Sequence, residues 1–109
     1  MYRGSTPTFS FELPFSASDI SLEQSIISFE QDEDTPLLEK SLSDCKRSGQ
    51  VYALTLTQEE SFLFETGKAT AQINLMMADG KRLPSTEMKF KVNRNLHDEV
   101  IEVKADGDD

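Results

Sequence analysis

Groups able to do chemistry are few in this chain, and their spacing does not gather them. His97 is the single histidine and Cys45 the single cysteine among 109 residues. A nucleophile needs a base within hydrogen-bond reach, and one histidine near the end of the chain, with no matching motif, does not supply it. His97 is expected on the surface, just past the final strand. Cys45 lies between Asp44 and Lys46, and the neighbouring ammonium would favour a thiolate. An activated thiol also calls for a base or a helix N-terminus, so Cys45 is expected to have no catalytic duty.

Two acidic runs, Asp32-Glu33-Asp34 and Asp106-Gly107-Asp108-Asp109, carry the oxygen donors that calcium prefers. An EF-hand loop also needs a glycine at its sixth position and a distal bidentate glutamate, and neither run has them. Both read as solvated charge. Seven phenylalanines supply most of the apolar volume. Rings on a sheet can stack bases, but such platforms come with basic grooves. Core packing is expected for most of the rings, with Phe62 or Phe64 the exception, because consecutive Phe62-Leu63-Phe64 cannot all face inward from one short turn. The sequence therefore assigns no catalytic, cofactor-binding or metal-ligating residue and no enzyme activity.

Twenty Asp and Glu stand against eleven Lys and Arg, a formal net charge of −9. Nucleic acid and anionic lipid are themselves negative and would repel such a domain, so neither is expected as a partner. Another protein is. One cysteine makes no intrachain disulfide, which fits a reducing compartment. The N-terminus has no signal-peptide pattern, and no stretch approaches the ~18 apolar residues of a membrane helix.

The elements that must position these groups are strands. Tyr52, Leu54 and Leu56, then Ala69, Ala71, Ile73, Leu75 and Met77, then Met88, Phe90 and Val92 fall on alternate positions, which gives each run one apolar face. Phe9, Phe11, Leu13 and Phe15 do the same, with Pro14 placing that strand at an edge or near its end. Over Ile20 to Gln31 helical and strand spacings compete. β-Branched residues and Phe favour a strand over Ser25 to Gln31, followed by a polar loop and a return strand over Leu37 to Leu42, with Leu38, Lys40 and Leu42 on one face. Ser43 to Gln50 reads as a surface loop. Thr57-Gln58-Glu59-Glu60 has the form of a capping box, opening a single helical turn that Gly67 ends. Asp79-Gly80 predicts a type I′ hairpin between a strand over Lys68 to Ala78 and one over Ser85 to Asn93, with Lys89, Lys91 and Asn93 outward.

About seven short strands and one helical turn predict an all-β fold over residues 1–101, two antiparallel sheets packed face to face in a β-sandwich, with a small closed barrel as the structural alternative. Residues 102–109 read as a disordered acidic C-terminal tail.

Three segments carry a resemblance: Tyr2-Arg3-Gly4-Ser5-Thr6-Pro7-Thr8-Phe9-Ser10-Phe11, Leu54-Thr55-Leu56-Thr57-Gln58-Glu59-Glu60, and Ile73-Asn74-Leu75 through Asp79-Gly80 to Phe90-Lys91-Val92. Leader, corner and hairpin, in that order, resemble a family of small tailed-phage and prophage proteins of Firmicutes. More distantly, they are similar to the N-terminal immunoglobulin-like domain of phage baseplate upper proteins. The resemblance implies an antiparallel immunoglobulin-like β-sandwich serving as a non-enzymatic virion structural module, tail- or baseplate-associated, with no catalytic residue, cofactor or metal to carry over. It implies other phage structural proteins or further copies of itself as partners, in a virion assembled in the bacterial host cytoplasm. A carbohydrate- or receptor-binding module is the alternative expectation.

Overall fold

Strand β6, Gly67–Met76, is the longest element, and its alternation sets the sandwich. Ala69, Ala71, Ile73 and Leu75 are buried, whereas Lys68, Thr70, Gln72, Asn74 and Met76 lie on the other face. The computed structural model describes residues 1–31, 35–85 and 87–102. The acidic run Asp32-Glu33-Asp34 and the tail beyond Glu102 lie outside the described residues.

The remaining strands are β1 Thr8–Glu12, β2 Ile26–Glu30, β3 Leu38–Ser41, β4 Lys46–Ser48, β5 Val51–Thr55, β7 Arg82–Pro84 and β8 Met88–Val92. One sheet has the order β1-β5-β4. The other runs β3-β2-β6, and β6 then pairs β8 over its first half and β7 near its end. All the strand pairings are antiparallel. The expected all-β antiparallel sandwich is what forms.

Apolar side chains from the two sheets meet between them. Ile27, Phe29, Tyr52, Leu54, Leu56, Phe64 and Val92 are at most 1% exposed. Phe29 is the hub of an aromatic cluster, its ring centroid 5.4 Å from Phe9, 5.8 Å from Phe64 and 6.3 Å from Phe90 in tilted or edge-on geometry. Such pairs add to the burial of area. Two buried hydroxyls are satisfied by backbone: Ser25 Oγ donates to Ser21 O at 2.8 Å and accepts from Met76 N at 3.0 Å, and Ser61 Oγ donates to Ser5 O at 2.7 Å.

The open sides of the sandwich are crossed by the chain. On one side Met1 to Arg3 runs beside the end of β8, with Asn93 N donating to Met1 O at 2.6 Å and Arg3 N to Asn93 O at 3.0 Å, before the chain enters β1. Arg3 fastens this crossing. Its Nε donates to Phe64 O at 2.6 Å, its guanidinium reaches Asp98, and its Cζ stands 5.2 Å from the Phe62 ring centroid. On the other side a 3-10 turn, Leu42–Asp44, carries the chain from β3 into β4 and is held by a capping box of Ser41 and Asp44.

Three local expectations need correction. The stretch Ser43 to Gln50 is not an unstructured loop, because it contains part of the 3-10 turn and all of β4; an edge strand of Lys, Arg and Ser buries nothing, so it leaves no apolar period. Gly67 opens β6, at φ +135°, instead of ending the helical turn α1, Gln58–Ser61. The hairpin is not type I′. Gly80 N donates to Met77 O at 2.9 Å and Met77 N to Lys81 O at 2.8 Å, with Gly80 at φ +92°. The turn is therefore centred on Ala78-Asp79, with Gly80 as the left-handed bulge residue, and it leads into the short β7 before β8.

Candidate docking face on the five-stranded sheet

The side chains of β6 that miss the core define the site. Registers place their neighbours: Lys68 faces Lys91 of β8, Thr70 lies between Glu30 of β2 and Lys89 of β8, Gln72 faces Ser28 of β2, and Ser28 in turn faces Glu39 of β3. Asn74 lies between Ile26 and Pro84, and Met76 faces Arg82. The period of two sends every one of these residues to the outer surface.

Hydrogen bonds fix part of this face. Ser28 Oγ donates to Glu39 Oε2 at 2.7 Å, Gln72 Nε2 to Ser85 O at 3.0 Å and Arg82 Nε to Asn74 Oδ1 at 3.1 Å. Together they floor a shallow groove of ≈ 500 Å³, walled by Pro36 and Glu39 on one side and Glu87 on the other. Its lining mixes amides, hydroxyls, carboxylates and the Arg82 guanidinium with the apolar side chains of Ile26, Pro36 and Met76. Such a surface can hydrogen-bond and pair charges.

Charge is divided across the face. Glu30 and Glu39 lie toward β3 and Lys68, Lys89 and Lys91 toward the start of β6 and the end of β8, with Glu87 just before β8. Like charges directly opposite on neighbouring strands destabilise a sheet, and Lys68 and Lys91 are such a pair. Among the described residues none of the three lysines is in an ion pair.

The residues singled out for chemistry lie elsewhere. His97 is exposed in the segment after β8, where its N–H donates to Asn95 Oδ1 at 3.3 Å. Cys45 is half-buried at the end of the 3-10 turn. Burial, then the charge of Asp44, push its thiol above the ordinary value, so Lys46 does not activate it. Among the described residues no three His, Cys, Asp or Glu side chains gather as a metal site would need. Of the rings, Phe64 is fully buried and Phe62 half-buried beneath Arg3, and it is Leu63, 49% exposed, that points outward. The run of three is resolved by exposing leucine, not phenylalanine.

Two comparisons found nothing: no family model and no curated protein matches this chain. Among solved structures the chain is similar to CopC from Methylosinus trichosporium OB3b, with a TM-score of 0.55 and 14% identity, over 88% of this chain and 87% of that one. At that identity the likeness shows the fold, a β-sandwich. It also corrects the functional expectation: the solved structure this sandwich matches is a CopC, so the assignment as a phage tail or baseplate module is withdrawn. Of the rings a carbohydrate-binding surface could use, Phe9, Phe29, Phe64 and Phe90 are engaged with one another inside the sandwich. The leader has a local explanation as well, because Arg3 and Gly4 are packing residues of the N-terminal crossing.

Proposed function

We propose that this chain is a non-catalytic docking module that binds a protein partner through the outer face of its five-stranded sheet. The observation carrying this reading is the composition of that face. Three carboxylates, Glu30, Glu39 and Glu87, stand there with four cations, Lys68, Lys89, Lys91 and Arg82, in a chain whose net charge is −9. The face thus carries one more cation than carboxylate in a chain that is acidic as a whole. The face itself offers mixed charges and amides around a groove, the chemistry of an interface rim.

A photo-crosslinking residue at Gln72, compared with one at Ala53 on the outer surface of the β1-β5-β4 sheet, tests this in extract from cells that make the protein. Discrete adducts from Gln72 and none from Ala53 are expected. Equal labelling from both positions overturns the assignment.

A further inference from the structure

Resting on the docking role above, we propose that the occupant of the outer face is a second copy of this chain, packed face to face about a twofold axis that lies in the interface and passes close to Thr70. The division of charge carries the inference. Thr70 has Glu30 on one side and Lys89 on the other. Glu39 extends the acidic side onto β3, and Lys68 and Lys91 extend the basic side toward the start of β6. A twofold axis in the interface, oblique to the strands at Thr70, carries Glu30 of one copy toward Lys68 of the other and Glu39 toward Lys91, twice over. That is the self-complementarity an isologous contact requires.

Two further observations fit the same partner. Lys68 and Lys91 face each other at a local cost within the monomer, and an opposing carboxylate corner removes that cost on association. This face also carries four cations against three carboxylates in a chain of net charge −9, so two copies approaching through it are not held apart by like charge there. Beyond the contact, screening over ~8 Å at physiological ionic strength weakens the remaining repulsion.

Size sets the strength. Ten residues of β6 at ~3.3 Å per residue, with neighbouring strands ~4.8 Å apart, give a footprint of roughly 500–600 Å² per copy. That is the low end for specific interfaces, so association is reversible and depends on concentration.

The test uses two charge-reversed proteins and sedimentation equilibrium. One carries Glu30→Lys and Glu39→Lys, and the other Lys68→Glu, Lys89→Glu and Lys91→Glu. Circular dichroism and thermal melting confirm that both stay folded. The native protein is expected to dimerise with rising concentration. Each reversed protein alone is expected to stay monomeric, and an equimolar mixture to recover the dimer. A native protein that stays monomeric at the highest attainable concentration overturns the inference, as do reversed proteins that dimerise like the native one. A monomeric native protein whose Gln72 probe captures a different protein overturns the self-association and leaves the docking role standing. Equal labelling from Gln72 and Ala53 removes the docking role itself.

Discussion

The ammonium of Lys40 stands 2.7 Å from Oε2 of Glu60, while Oε1 of the same carboxylate accepts the Thr57 N–H at 2.9 Å. One side chain thus closes the capping box of α1 and ties it to β3. Burial alone would raise the Glu60 pKa, but hydrogen bonds from Lys40 and Thr57, with the charge of Lys40, outweigh it and hold the carboxyl below its ordinary value. The same hydrogen bond raises Lys40.

Replacing Glu60 by Gln is expected to cost about 1–2 kcal/mol, since a charge-assisted bond and part of a cap are lost together. The pH dependence has two limbs. The Glu60 contribution is present above the ordinary glutamate pKa of about 4.3 and disappears as pH falls through the lowered value. The Lys40 contribution is present below the ordinary lysine pKa of about 10.4 and disappears as pH rises through the raised value. Urea unfolding at a series of pH values checks both limbs, and Glu60→Gln should flatten them.

Gly4 sits at φ +77°, and a Cβ there would overlap the Phe62 ring, which the Arg3 guanidinium covers. Gly4→Ala is expected to destabilise the fold by about 1–3 kcal/mol through left-handed strain and displacement of that ring. A fall in thermal midpoint, with more rapid amide exchange at Arg3 and Asn93, is the signature.

Tyr52 is fully buried, and its hydroxyl has no hydrogen-bond partner among the described residues. Leaving such a group unpaired costs about 1–3 kcal/mol. Tyr52→Phe should therefore be neutral or stabilising by up to about 1 kcal/mol in denaturant unfolding, and a marked loss would show that the hydroxyl has a partner.

Cys45 should alkylate slowly. Its raised pKa and partial burial keep the thiolate scarce at neutral pH. Iodoacetamide labelling is expected to accelerate only above the ordinary thiol range, and Asp44→Asn should shift the profile toward lower pH.

Much of the sandwich was legible because burial writes a period of two into β1, β2, β5, β6 and β8, and because Thr57 and Glu60 carry a cap that needs no tertiary context. β4 left no trace: an exposed edge strand such as Lys46–Ser48 buries no side chain. The turn at Asp79-Gly80 was placed correctly and typed wrongly, since the position of the glycine within the turn depends on which carbonyl closes it. The docking face was illegible for a different reason. Lys68, Lys89, Glu30 and Glu39 are scattered in sequence, and only the order β3-β2-β6-β8 brings them onto one surface. The leader at Arg3-Gly4 carries a family-like pattern in sequence, whereas its residues are explained by what they hold together.

The most direct measurement is the amide spectrum of isotopically labelled protein, compared between dilute and concentrated samples and again with the Lys68/Lys89/Lys91 reversal. Concentration-dependent shifts confined to Ser28, Glu39, Thr70, Gln72 and Lys89, and abolished by the reversal, are the predicted result. Shifts along the outer edges of β1 and β4 with a silent β6 would contradict the account.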